Sequence, residues 1–125
     1  MMDHRDQLIT VLKDFIEGAD QVDIQRLSNA LHHHFLNIQN GYFDQTGVFT
    51  IDKASYIEHV SSGKFGGVAR KLEILDIDIM GDMAMMKVEL TNPYLQFYSY
   101  LSLVYENNEW KVIGNFPKVK VISPV

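Results

Sequence analysis

The chain has 125 residues, with eleven basic and sixteen acidic side chains, a net charge of −5 and no cysteine. That length suits one domain, residues 1–125, whose core can cover about two-thirds of its unfolded surface. The acidic balance argues against nucleic acid or an anionic membrane as partner. The missing thiols exclude disulfides, thiolate metal centres and cysteine nucleophiles.

The opening stretch, Met1 to Gln7, is polar, and no apolar leader follows it. The longest uninterrupted apolar run is Met83 to Met86, too short to span a bilayer. The expected setting is the cytoplasm, without a membrane partner.

Leu8, Leu12, Phe15 and Ala19 recur at helical spacing, which predicts a first helix ending near Gly18. Asp23 reads as the N-cap of a second, shorter helix buried through Ile24, Leu27 and Leu31. Residues between this helix and Asp52 show neither period and read as irregular, with Phe35, Tyr42, Phe43 and Phe49 available as a lid. A third helix starts at Asp52, turns Tyr56, Ile57 and Val60 to one side and stops at Gly63.

From Lys71 the period becomes two. Leu72 and Ile74 share one parity and Leu75, Ile77 and Ile79 the other, which predicts a bulge near Ile74–Leu75. Gly81-Asp82 reads as a tight hairpin, Asn92-Pro93 as a strand break and Asn107-Asn108 as a second tight turn. Between them lie a strand around Ala84 to Leu90 and a long strand from Leu95 to Tyr105. Trp110, Val112, Gly114 and Phe116 alternate along the last strand, which Pro117 interrupts before a short extra strand at Lys118 to Ile122. Helices followed by a run of antiparallel strands indicate an α+β domain.

This layout resembles the nuclear transport factor 2-like superfamily. Its local strings are similar to those of the bacterial subgroup called putative lumazine-binding. They are Phe15-Ile16-Glu17-Gly18-Ala19-Asp20, Leu31-His32-His33-His34-Phe35, Asp52-Lys53-Ala54-Ser55-Tyr56, Met83-Ala84-Met85-Met86-Lys87-Val88, Tyr100-Leu101-Ser102-Leu103-Val104 and Asn108-Glu109-Trp110-Lys111-Val112-Ile113. The resemblance implies three N-terminal helices packed on a strongly curved antiparallel sheet, a cone with a pocket for a heterocycle. In the subgroup a His-Pro-Asp-like string follows the second helix; here His33 and His34 hold its second and third places, so the carboxylate is missing.

Three readings of function follow. The leading one is a small-molecule-binding protein of unassigned ligand, with Phe35, Tyr56, Phe97, Ser99, Trp110 and Asn115 as candidate pocket residues, because apolar walls with few polar anchors are what such pockets present. The second is a lyase or isomerase of the ketosteroid isomerase or dehydratase type, with His34, Asp44 or His59 as the proton-moving group. The third is an association module with a closed cavity. The run His32-His33-His34 reads as a helix terminus, since adjacent helical side chains splay by about 100° and cannot converge on one metal. No metal or cofactor is expected. All aromatic residues but Phe15 lie after residue 34. The long strand is therefore apolar on both faces, one for the pocket and one for a homodimer partner, with Tyr94, Tyr98, Tyr100 and Val104 as the candidate interface.

Overall fold

The computed structural model describes residues 3–42 and 45–123. Asp3, Asp23 and Asp52 each precede a helix, and each carboxylate accepts a bond from the backbone N–H three residues on. These caps satisfy donors that helix starts leave open. They launch α1 (His4–Asp20), α2 (Ile24–Ala30) and α3 (Lys53–Ser61). The first helix ends in a Schellman motif: the Asp23 N–H bonds the Gly18 carbonyl at 2.8 Å and the Val22 N–H bonds that of Ala19 at 3.3 Å. Val22 holds the left-handed position, with φ 54°.

Six strands follow or interleave: β1 (Leu31–Tyr42), β2 (Gln45–Asp52), β3 (Lys71–Met80), β4 (Met83–Thr91), β5 (Leu95–Glu106) and β6 (Glu109–Val121). They form one curved, unclosed sheet in the order β2-β1-β6-β5-β4-β3. Neighbours are antiparallel except β1 and β6, which run parallel. The segment read as irregular is therefore the β1–β2 hairpin, not a lid, and Leu31 opens a strand rather than closing a helix. Phe43 lies outside the described residues. The short extra strand is the continuous end of β6, which carries Pro117 through opposite Ser99.

The expected fault in β3 is present. The register with β4 slips between Ile74 and Asp76, so Leu75 is the extra residue. A second slip, between Ser102 and Leu103 on β5, places the extra residue of β6 at Ile113. It reverses the parity of β6. Trp110 and Val112 face the core, Asn115 then faces inward, and Phe116, which the plain alternation puts inside, is half exposed on the outer face. Gly81, Asn107 and Asn108 adopt positive φ at the two hairpin turns.

The core sits between the helices and the inner face of the sheet. Leu8, Leu12, Phe15 and Ala19 of α1 meet Met86, Val88, Leu101, Leu103 and Val112. Gly18 lets the first two helices touch, since a Cβ there would lie 2.9 Å from the Leu27 backbone nitrogen. Arg26 ties their exposed side, bonding Asp14 at 2.8 Å and Glu17 at 3.0 Å.

Candidate functional site

A cavity of about 450 Å³ opens beside this core. Its walls are aromatic and aliphatic. Phe15 and Ile16 of α1 and Tyr56 of α3 form one side, and Leu90, Phe97 and Leu101 of the sheet form the other. The Tyr56 ring stands 5.8 Å from Phe15, 5.4 Å from Phe35 and 5.5 Å from Phe65. Burial holds the Tyr56 phenol above its ordinary value; nearby Arg70 opposes the shift and Asp20 adds to it.

The floor is polar. Asn37 and Gln39 point inward from β1, Ser99 from β5 and Asn115 from β6; all four are buried and line the cavity. Asn115 Nδ2 donates to Asn37 Oδ1 at 2.8 Å, and Asn37 Nδ2 donates to Gln39 Oε1 at 2.7 Å. Asn115 Oδ1 is buried with no partner.

One wall is held by an ion pair. Asp20, at the end of α1, receives Arg70 Nε at 2.6 Å and the Arg70 backbone N–H at 3.0 Å. Both side chains are nearly closed to solvent, at 11% and 6% exposure for Arg70 and Asp20. The guanidinium also lies 5.0 Å from the Phe97 ring centre, within cation–π range. The segment from Ser62 to Arg70 is thereby strapped to α1. Gly67 N–H bonds the Ala19 carbonyl at 3.1 Å, and Gly66, at φ 72°, passes so close that a Cβ would run into that oxygen.

The expected site residues divide. Tyr56, Phe97, Ser99 and Asn115 line the cavity. Phe35 stands behind Tyr56 in the wall without lining it. Trp110 lies elsewhere, against His4 at 5.3 Å and Tyr105 at 5.3 Å, because it precedes the β6 bulge at the far end of the strand. His34 is exposed, and His59 packs edge-on against Phe65 at 4.9 Å; neither lines the cavity. Asp44 lies outside the described residues. Sequence reasoning missed Asn37 and Gln39 as cavity residues; Arg70, expected at the pocket rim because it follows the Gly66-Gly67 turn, lines the cavity.

The histidine run is not a helix terminus. Between Leu31 and Leu36, β1 advances five residues while β6 advances from Val112 to Gly114, so His32 to His34 form a bulge. Within it the His34 N–H bonds His32 Nδ1 at 3.0 Å, and His32 Nε2 meets Glu106 at 2.9 Å. An accepting Nδ1 leaves the ring proton on Nε2, directed at the carboxylate. That bond holds the Glu106 carboxyl below its ordinary range. His33 is held below its ordinary value by desolvation and then by its two neighbours. Among the described residues no three His, Cys, Asp or Glu side chains converge as a metal site, and no helix is long and apolar enough to cross a membrane.

The outer face of the sheet carries Tyr98, Tyr100, Met83, Met85 and Phe116, each at least 44% exposed, with Val104 half-buried beside them. Tyr94 departs from the expected interface: it sits in the turn before β5 and lines the cavity.

Solved structures share this architecture. A nuclear transport factor 2-like protein of unknown function from Silicibacter pomeroyi superposes with a TM-score of 0.82 at 14% identity, over 94% of this chain and 96% of its own. A nuclear transport factor 2-like protein from Cytophaga hutchinsonii gives 0.78 at 22% identity, over 95% and 100%. A ketosteroid isomerase-like protein from Erwinia carotovora atroseptica gives 0.70 at 14% identity, over 94% and 95%. At these identities the likeness is one of fold. No curated protein matches the chain. The family described as putative lumazine-binding matches residues 3–116, most of the chain, and the chain, whose fold is the nuclear transport factor 2-like one, belongs to that family.

Proposed function

We propose that the protein binds a small, largely apolar molecule in the cavity and does not transform it. The observation that carries this reading is the cavity itself: about 450 Å³, aromatic walls and a short polar floor. That volume and lining suit a compact ligand of one or two rings. The family's description names a flat heterocycle of that size. A closed association module requires a filled interior, which the open cavity argues against.

Catalysis of the isomerase or dehydratase kind needs a group that takes up a proton near the ligand. Among the described lining residues there is no carboxylate and no imidazole. Asp20 stands behind Arg70 and is committed to it. Tyr56 keeps its proton, since burial raises its phenol. These features favour binding over proton transfer.

Thermal unfolding in the presence of pteridine-2,4-dione and a panel of one- and two-ring aromatic compounds tests the reading. A melting point that rises with ligand concentration is expected, because a ligand of the native state stabilises by mass action. No rise with any compound, up to the solubility limit of each, would count against it.

The outer face is proposed as a homodimer interface. Exposed Tyr100, Met85 and Phe116 line a shallow groove of about 300 Å³, with Tyr98 exposed on the same face, and large aromatic side chains are enriched in association surfaces. Sedimentation should return twice the 14.4 kDa chain mass; a monomer at micromolar concentration would refute it. The lack of cysteine suits the reducing cytoplasm, where we place the protein.

A further inference from the structure

One wall of the cavity holds hydrogen-bond donors that no protein group uses. Arg70 carries its N–H groups in a planar fork. Asp20 takes Nε at 2.6 Å, while Nη2 reaches only the Ile16 carbonyl, at 3.5 Å, the limit of a useful bond. Nη1 makes no hydrogen bond among the described residues. Tyr56 supplies a second donor. Its ring is buried, yet its hydroxyl has no hydrogen-bond partner among the described residues. The polar side-chain atoms sealed in without a partner are Trp110 Nε1 and Asn115 Oδ1, so the Arg70 fork and the Tyr56 hydroxyl open to the cavity that both residues line. The phenol feels the charges of Arg70 and Asp20, which places it near that pair, and it keeps its proton. Asp20 at Nε and the Phe97 ring, 5.0 Å from the guanidinium, fix the direction of the fork.

Charge then sorts the ligand. The charged side chains that line the cavity, Lys64 and Arg70, are both cationic, and no carboxylate lines it. The floor is neutral: an amide ladder in which Asn115 donates to Asn37 and Asn37 to Gln39. An ammonium ligand would lose its water among cations and find no counter-ion, which is costly. A neutral carbonyl accepts from a guanidinium more weakly than an anion does. A carboxylate is planar, only accepts, and matches the fork and the phenol together. We propose that the cavity takes an aromatic carboxylic acid, bound as its anion, with the carboxylate on the Nη edge of Arg70 and the Tyr56 hydroxyl and the rings among Phe15, Ile16 and Phe97. Asp20 is a positioning residue: it holds Arg70 by Nε and leaves the other edge to the ligand. The proposal rests on the reading of the cavity as a ligand site and specifies the ligand's charge and polar group.

The test is calorimetric binding, at neutral pH, of benzoate and 2-naphthoate, of the matching primary amides and methyl esters, and of 2-naphthylmethylammonium. The wild-type protein should bind at least one acid about tenfold or more tightly than its amide and its ester, a difference of about 1.4 kcal/mol. The ammonium should bind more weakly than the amide. In Tyr56→Phe, which removes the hydroxyl and keeps the ring, the preference for the acid should fall by about threefold or more. In Asp20→Ala/Arg70→Leu, which removes the fork without stranding its counter-ion, the preference should fall to within about twofold. The wild-type and Tyr56→Phe comparisons stand even if the double variant does not fold. Equal or tighter binding of the amides or esters overturns the carboxylate inference and leaves the cavity as a binding site. An acid preference that survives intact in both variants does the same, and so do acids that fail to bind where neutral members of the aromatic panel bind. Failure of every probe and of the wider panel overturns the binding reading and this inference with it.

Discussion

Replacing Asp20 by alanine should be among the most damaging single changes in the molecule. Its carboxylate accepts two bonds from Arg70, at 2.6 and 3.0 Å, and both side chains are almost fully covered. The variant leaves a guanidinium at 11% exposure with no counter-ion, and a backbone N–H without its acceptor. Removing one member of a buried pair costs about 3–5 kcal/mol, most of it the penalty on the charge left behind. In a domain of this size that corresponds to a melting point lower by roughly 10–20 °C. The double variant Asp20→Ala/Arg70→Leu removes the stranded charge as well and should recover part of the loss. Urea and thermal unfolding followed by circular dichroism read both. A loss below about 1 kcal/mol in Asp20→Ala, or a double variant that is worse by the full sum of the singles, would refute the reasoning.

Val22→Gly should stabilise by up to about 1 kcal/mol, because a β-branched residue occupies the left-handed position of a Schellman motif at φ 54°; a destabilised variant in urea unfolding would contradict this. Gly66→Ala should cost about 1–3 kcal/mol, since the added methyl meets the Ala19 carbonyl oxygen at a positive φ; an unchanged urea midpoint would show that the strap does not press on α1. Stability should fall with acid in two steps. His33 has a folded pKa below its ordinary 6.5, so its contribution is complete above that pH and is lost as the pH falls below it. Glu106, held below its ordinary 4.5, loses its contribution as the pH falls through its folded value. His33→Gln should flatten the first step alone, and a profile that overlays the wild type between about pH 7 and 5 would remove the explanation.

Local chemistry made much of the fold legible. The capping aspartates, the turns at Gly81 and Asn107-Asn108 and the bulge at Leu75 follow from backbone preference and parity. The β1–β2 hairpin did not, for a physical reason. The inward positions of β1 after Phe35 are Asn37 and Gln39, while Leu36 and Ile38 point out and stay partly exposed. The alternation there is the reverse of a half-buried strand, and the three-histidine bulge before it hides the register. The same inversion concealed the amide ladder, because polar residues facing a cavity read as solvent-facing. The slip at Ile113 moved Phe116 outward and Asn115 inward, which plain alternation of the last strand could not register. Asp20 and Arg70 are 50 residues apart, and their pairing is a product of tertiary packing.

The account turns on a cavity that is open and occupied by ligand. Val119 lines it from β6, so Val119→Trp adds apolar volume where space already exists. Ligand affinity and melting point of this variant, measured side by side with the wild type, test the claim most directly. Binding of the best probe should be lost, with the melting point unchanged or raised, because the ring fills a void rather than overpacking a core. Retained binding in Val119→Trp, or a loss of about 1–3 kcal/mol in stability typical of overpacking, would contradict it.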